Sequence, residues 1–279
     1  MRRSWLFRLW RNRSGAAGLL LIALFLAAAL AGALGLTPYP PNQQHAKDRM
    51  QPPSRQYIFG TDEFGRDVYS RLIRGATNSL SIAFVSVALA SVVGATLGTL
   101  AGYFGGRTDN TIMRIMDLFF AFPAILLALA IIAALGPGFR NTILAISIVY
   151  MPIFARVARG PVLTVRATEY VTAARCVGAR DGRILGRHVL PNIAPPLIVQ
   201  VSLALSWAIL TEAGLSFLGL GIQPPEPSWG SMLSEARSLL ELAPWLAIFP
   251  GLAIMLCVLG FNLLGDGLRD VLDPRMRGA

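Results

Sequence analysis

Long uncharged apolar runs constrain this chain more than any other feature. A bilayer core about 30 Å thick is crossed by roughly 20 apolar residues in a helix and rejects unpaired charge. Six runs meet that description: Gly15 to Leu36, Ala76 to Tyr103, Leu118 to Phe139, Asn141 to about Gly160, roughly Pro195 to Thr211, and Leu242 to Gly265. With 54% apolar and 14% charged residues, the composition departs from that of soluble domains. Backbone groups in lipid must be satisfied within the segment, and runs of this length do so as helices. The expectation is therefore an all-α polytopic membrane protein with six transmembrane helices. In the fourth run only Asn141 to Ala155 is free of charge, so Arg156 and Arg159 belong at its end, where long side chains reach the headgroups.

The first run follows Arg2, Arg3, Arg8, Arg11 and Arg13, and Ala29-Leu30-Ala31 looks like a signal cleavage site. At 22 uncharged residues the run exceeds a signal h-region and suits an uncleaved anchor. Five leading arginines place the N-terminus in the cytoplasm by the positive-inside bias, and six crossings return the C-terminus to the same side. This threading puts 17 of the 25 basic residues in cytoplasmic pieces. Six of the other eight sit in the long segment 37 to 75, in company with Asp48, Asp62, Glu63 and Asp67; long loops follow the charge bias loosely.

A net charge of +10 raises nucleic acid as a partner, but these arginines track topology and no soluble recognition domain accompanies them. In the outer segment, prolines 38, 40, 41, 52 and 53 favour extended chain, and the second half of FGTDEFGRDVYSRLIRGA (59 to 76) reads as a short surface helix. Asp62, Glu63 and Asp67 lack calcium-loop spacing, so ion pairs with Arg66 and Arg71 and turn capping are their expected roles. Glu212 beside the fifth run is read as an interfacial ion pair rather than a relay, since no second acid or histidine lies within the runs. Arg114 and Asp117 are read as partners one turn apart. Gly214, Gly219 and Gly221 suit close packing and bends. Polar residues of the runs such as Asn78, Ser81, Ser86, Ser147, Gln200 and Ser206 name no substrate site by themselves. His45 and His188 fall on opposite sides of the membrane, which argues against a nickel ligand set.

One basic stretch, EYVTAARCVGARDGRILGRHVLPN at 169 to 192, lies outside the runs. Thr168 can cap a helix, Glu169 and Arg175 complement its two ends, and Gly178 supplies a left-handed stop. Tyr170, Val171, Ala174 and Val177 are expected on one side. Asp181 is expected to cap a second helix, which Pro191 ends. Physical reasoning leaves two uses open: lying on anionic headgroups, or close packing against another protein through Ala173, Ala174, Val177 and Gly178.

The stretch resembles the cytoplasmic coupling loop, or EAA motif, of permease subunits in binding-protein-dependent ABC importers. Ala173 and Ala174 match, Gly178 follows after three residues, and Leu190-Pro191 arrive at the family's distance. Thr172 stands where the family often has Glu and His188 where Ile is common, while Glu169 sits one turn earlier. FGTDEFGRDVYSRLIRGA, AGYFGG at 101 to 106, LSFLGLGIQPPEPSWGSML at 215 to 233 and NLLGDGLRDVLDPR at 262 to 275 resemble the subgroup that imports dipeptides, oligopeptides and nickel, and within it the second of two paired permeases.

The resemblance implies a type I ABC importer permease fold in a bacterial inner membrane, with residues 1 to 75 preceding a core at 76 to 266, a coupling loop at about 160 to 192, and a cytoplasmic tail at 267 to 279. It implies as partners a second homologous permease, two ATP-binding cassette subunits that hydrolyse ATP with Mg, and an extracytoplasmic substrate-binding protein. The coupling residues it implies are Glu169, Thr172, Ala173, Ala174, Gly178, Leu190 and Pro191. The chain's one lysine is Lys47, so it has no Walker A loop, which requires a lysine on the phosphates. The competing classes are a gradient-driven secondary transporter or channel, which needs intramembrane charges, and an ABC permease for nickel or another small solute.

Residues 1 to 14, 104 to 117, 160 to 190 and 267 to 279 are expected on the cytoplasmic side. Single-cysteine labelling from either face checks this. A probe that reaches position 180 only from outside intact cells would overturn both the threading and the coupling-loop reading.

Overall fold

The computed structural model describes residues 9, 10 and 12–272. The expected cytoplasmic arginines 2, 3, 8, 11, 275 and 277 lie outside the described residues. In chain order the helices are α1 (Arg13–Ala33), α2 (Val68–Phe104), α3 (Gly106–Phe120), α4 (Ala124–Leu135), α5 (Phe139–Arg166), α6 (Glu169–Cys176), α7 (Asp181–Ile184), α8 (Leu190–Phe217), α9 (Trp229–Ala236) and α10 (Trp245–Leu272). A wide π turn, Leu185–Val189, joins α7 to α8. Among the described residues, five continuous stretches are long and apolar enough to cross a bilayer: α1, α2, α5, α7 through α8, and α10.

The remaining apolar run is bent. The run Leu118 to Phe139 divides at Pro123, where α3 and α4 meet at 90°. Proline fixes its own φ and drives the preceding residue out of the helical region, so the helix stops there. The apolar half, α4, has 12 residues and is about 18 Å long at 1.5 Å per residue, short of a full crossing by itself. The charged half, α3, is tied to the end of α5. Arg159 donates to both Asp109 oxygens at 2.6 Å, and Arg156 donates to Asp117 at 2.6 Å while stacking over Phe120. Asp117 thus pairs with Arg156 across helices rather than with Arg114, because the bend swings α3 alongside α5.

Helices α2 and α5 pack backbone to backbone. Gly94, Gly98 and Gly102 stand four residues apart on one face of α2. A Cβ at these positions would strike the backbone carbonyls of Met151, Ala155 and Arg159, which are spaced the same way on α5. Small residues at this interval let two backbones touch, which supplies dispersion where lipid removes any hydrophobic drive between helices. Ile82, Ala83, Val87 and Ala90 of α2 and Ile143, Ile146 and Val149 of α5 continue the core toward the other end. Several polar side chains buried here bond to helix backbone. Ser86 and Ser147 donate to the Ile143 carbonyl at 3.2 and 2.6 Å, and Ser206 donates to that of Val258 at 3.3 Å. Asn78 donates to the Pro227 carbonyl at 2.7 Å. Gln200 instead lines a cavity of about 410 Å³ with Val157, Leu203, Asp266 and Arg269.

At the opposite end, the segment before α2 folds onto α9. Asp67 caps α2, accepting from the Ser70 N–H and hydroxyl at 2.9 and 2.6 Å. The short surface helix expected near here is the first turns of α2 itself. Asp62 accepts from Arg66 at 2.6 Å, and Glu235 of α9 accepts from Arg66 and Arg71 at 3.0 and 2.9 Å. Glu235, distant in sequence, takes the place expected for Glu63. Arg71 is 1% exposed, and a buried charge needs such paired, hydrogen-bonded geometry. Glu212 departs from its expected interfacial ion pair: it is 0% exposed and bonds to Ser216.

Gly98→Ile would force the two backbones apart at the centre of their contact and is expected to cost about 3 kcal/mol or more. The variant should show reduced membrane abundance and a lower melting temperature in detergent. Gly160→Ala, where an added Cβ meets nothing within 4 Å, should be neutral or slightly stabilising. Equal melting of the two variants would contradict the packing argument.

Candidate functional site

The basic loop after α5 builds a small domain-like cap on the ends of α2, α5 and α8. The N-cap position of α6 is Thr168 in extended backbone, but its hydroxyl donates to the Val165 carbonyl at 2.7 Å and caps nothing. The expected cap is therefore met by the backbone alone. The other end of α6 closes as anticipated. Gly178 has φ +81°, its N–H bonds to the Arg175 carbonyl at 2.9 Å, and the Ala179 N–H reaches back to Ala174 at 3.0 Å. This pair of bonds is the Schellman stop, which needs a left-handed residue that glycine adopts without a Cβ penalty.

The faces of α6 sort differently from the expected side. Val171 is buried and Ala174 half-buried, packed with Tyr103, Ala158, Val162, Ile184, Val189 and Ile193. Tyr170 and Val177 point away, with Val177 84% exposed. Val177 lies seven residues after Tyr170, on the same face of the helix, and that face turns outward while Val171 and Ala174 turn toward the core. Glu169, Thr172, Ala173, Cys176 and Gly178 are exposed as well. The outward surface is thus a ridge of small and apolar groups.

The cap is fastened to α2 by charge. Tyr103, in the last turn of α2, donates its hydroxyl to Asp181 at 2.6 Å. The Arg175 guanidinium sits 5.1 Å from the centre of the Tyr103 ring. Arg166 donates to the carbonyls of Gly102 and Tyr103 at 2.8 and 3.1 Å, satisfying groups that a helix C-terminus leaves open and favouring its negative end. Asp181 therefore does not cap α7, whose N-cap is Arg180, because its carboxylate is drawn to Tyr103. Pro191 does not end a helix either. The π turn before it is wider than an α turn and relieves the clash between the proline ring and the preceding carbonyls, so α8 continues to Phe217. Asn192 links α8 back to α6, donating to the Tyr170 hydroxyl at 3.3 Å.

Of the residues singled out from sequence, Glu169, Thr172, Ala173 and Gly178 lie along the exposed ridge, Ala174 is half turned into the core, and Leu190 and Pro191 are exposed at the start of α8. Sequence reasoning missed the anchors Tyr103, Arg166 and Asp181. Nothing local signals a tyrosine bonded to an aspartate 78 residues away. The glycine interval beneath them, Gly94, Gly98 and Gly102, was legible as a small-residue repeat.

The chain matches the family described as the binding-protein-dependent transport system inner membrane component over residues 94–278, and the N-terminal TM domain of oligopeptide transport permease C over residues 1–53. It is 47% identical over 270 residues to the dipeptide transport system permease protein DppC of Alkalihalophilus pseudofirmus, covering 97% of this chain and 88% of the relative. It is also 47% identical over 258 residues to the glutathione transport system permease protein GsiD of Pectobacterium atrosepticum, covering 92% and 86%. Among solved structures, a chain of the inward-facing MetNI methionine ABC transporter shares the fold, with a TM-score of 0.59 at 21% identity, covering 72% of this chain and 96% of that one.

Tyr103→Phe removes one hydrogen bond to a charged acceptor, worth about 1.5 kcal/mol or more. Amide hydrogen exchange across residues 169–184 should accelerate roughly tenfold while exchange in α2 and α5 stays unchanged. Unchanged exchange in that segment would remove Tyr103 as the anchor of the cap.

Proposed function

Because the chain belongs to the family of inner membrane components of binding-protein-dependent transport systems, we propose that its exposed ridge on α6 is the surface through which ATP-binding cassette subunits drive it. The observation that carries this reading is the combination of rigidity and exposure. Val177, Ala173 and Gly178 are presented to solvent from a helix locked by Asp181, Arg175 and Arg166 to the end of α2. A lever needs both properties: a face free to be gripped, and a fixed link to the helices that must move. Lipid binding is served less well, since four arginines of this end (Arg156, Arg159, Arg166 and Arg175) bond within the protein or stack on its rings.

On this reading Thr172, Ala173 and Gly178 contact the cassette subunit, Glu169 lies at the edge of that contact, and Ala174 transmits the force inward to Val162 and Ile193. Leu190 and Pro191 extend the surface onto α8. Two cassette subunits bind and hydrolyse ATP with Mg, and this chain, with Lys47 as its one lysine, supplies no phosphate loop of its own. A second, homologous permease completes the path, and an extracytoplasmic binding protein delivers the solute. Both termini and the ridge face the cytoplasm of a bacterial cell. The names of the dipeptide and glutathione relatives support small peptides as the cargo. Closure of the cassette subunits on ATP moves the cap as a body, and alternating access follows from rocking of the helices attached to it.

Gly178→Val tests the lever. The substitution strains the left-handed turn by about 1 kcal/mol or more and adds a branched side chain to the ridge without an internal clash, since nothing lies within 4 Å of the added Cβ. Membrane levels should persist, while binding-protein-stimulated uptake and stimulated ATPase activity of the assembled transporter collapse together. Near-normal uptake and stimulation at matched membrane levels would leave the loop as a lipid-facing anchor. The chain purified alone should neither hydrolyse ATP nor transport; gradient-driven uptake by it alone would point instead to a secondary transporter.

A further inference from the structure

The outer segment between α1 and α2, residues 37 to 67, folds into a lobe at the end of the bundle away from the basic cap. Its start is tied to the helices beneath it. The Tyr39 N–H donates to the Ser70 hydroxyl at 3.3 Å, and the Asn42 amide donates at 3.3 Å to Glu226, in the turn before α9. Arg74 of α2 donates to the same carboxylate at 2.9 Å. Its end is tied as well, for the Trp245 indole N–H at the start of α10 donates to the Thr61 carbonyl at 3.2 Å, and Arg66 reaches Glu235 of α9 at 3.0 Å. Within the lobe, the arc 45 to 57 closes on the stretch that follows it. The Met50 N–H donates to the Asp62 carbonyl and the Thr61 N–H to that of Gln51, both at 3.0 Å, and the Thr61 hydroxyl bonds to the Asp48 carbonyl. Tyr57 fills the middle of the arc. It is 3% exposed, packs with the rings of Tyr39 and His45, and donates its hydroxyl to Asp48 at 2.9 Å.

This folding sorts the charges of the lobe by sign. The acids are engaged inside: Asp48 by Tyr57, Asp62 by Arg66 and by the N–H groups of Phe64 and Arg66, and Asp67 by Ser70. Glu63 is exposed, but it lines a crevice on the α9 side with Met232 and Leu239. Lys47, Arg49 and Arg55, all on the arc, are exposed, and none of them forms an ion pair among the described residues. Pro52 and Pro53 lie between these cations in the chain, also exposed, and their fixed φ leaves this part of the arc little backbone freedom to lose on binding. A segment in which acids accompany most of the basic residues in sequence thus presents a positive face in space.

We infer that the positive face made by Lys47, Arg49 and Arg55 is a docking surface for an acidic patch on the extracytoplasmic binding protein. Charge complementarity sets the sign of the partner, and the fixed spacing of the charges sets its class. Cations held on a hydrogen-bonded arc keep their positions, which a folded surface can match. A fluid headgroup layer needs no such array and is recognised by denser clusters, about four to eight basic residues. The lobe also joins α2 at Val68, eight residues before the apolar run that begins at Ala76, which is about 12 Å along the helix. The surface follows from these contacts; the identity of the partner rests on the transport reading.

The test uses the assembled transporter in nanodiscs of zwitterionic lipid, with purified binding protein titrated in and stimulated ATPase activity read. Charges at the rim of an interface act on encounter and on its salt dependence. The combined variant Lys47→Glu, Arg49→Glu, Arg55→Glu should therefore raise the binding-protein concentration for half-maximal stimulation about tenfold or more at about 50 mM salt, with the maximal rate unchanged. Raising salt to about 500 mM should bring variant and parent within about twofold of each other. The corresponding triple Gln variant should raise half-saturation about threefold, and it carries the test should the charge-reversed variant fail to assemble. Glu63→Gln, off the arc, should stay within about twofold of the parent. Half-saturation unmoved by both triple variants would overturn the docking surface. A shift that appears only when anionic lipid is added to the nanodiscs would overturn it in favour of headgroup binding, and a lowered maximal rate with unchanged half-saturation would overturn it in favour of a role confined to the lobe's own structure. A parent transporter that binding protein does not stimulate at all would remove the transport reading and the docking with it, an outcome distinct from the other three.

Discussion

Backbone contact between α2 and α5 sets the positions on which both ends of the molecule depend. Inside lipid there is no hydrophobic drive to bring two helices together, so their registry rests on shape and on whatever polar contacts they share. Gly94, Gly98 and Gly102 provide the shape, a flat track on which Met151, Ala155 and Arg159 seat their carbonyls. The registry has consequences at the basic end. It brings Arg166, which ends α5, to the open carbonyls of Gly102 and Tyr103, and it leaves Arg159 turned toward Asp109 on α3. A shift of one turn along either helix would be about 5.4 Å, enough to break each of these bonds.

From that registry the basic end assembles as a rigid cap. The arginines there divide into two groups. Arg156, Arg159, Arg166 and Arg175 are engaged with Asp109, Asp117, helix carbonyls or aromatic rings, whereas Arg180, Arg183 and Arg187 remain exposed. Positive charge that a topology count treats as uniform thus performs two jobs. One group stitches α3, α5 and the loop together, and the other stays free around the exposed ridge. The apolar residues divide in the same way, with Val171 and Ala174 turned toward Val162 and Ile193 and Val177 turned outward. The far end has its own fixed points, with Arg71 bonded to Glu235 of α9 and Trp229, at the start of α9, bonded to Ser79 and Leu72 of α2.

Much of this was legible in the chain itself. Uncharged runs of about 20 residues admit few structures other than membrane helices, and those runs mark five continuous spanning stretches and the bent pair of α3 and α4. Gly178 announced a left-handed stop because its place after a capped, amphipathic turn leaves few other uses for a glycine. The motifs around it carried the family, to which the chain belongs. Local reading failed where a side chain had a better partner far away. Asp181 is a good cap by its position, yet Tyr103 takes its carboxylate. Asp117 has Arg114 one turn off, yet Arg156 takes it. Pro191 is a helix breaker by chemistry, yet a π turn absorbs it.

The sequence by itself determined which segments enter the membrane, which end carries the positive charge and where α6 must stop, because each follows from solvation or backbone sterics within a few residues. Tertiary structure alone decided that the third apolar run bends, that Val177 faces outward, and that Glu212 is fully buried with Ser216 as its hydrogen-bond partner. These depend on which distant groups arrive within about 3 Å of one another, a distance set by helix packing and not by the chemistry of any one segment.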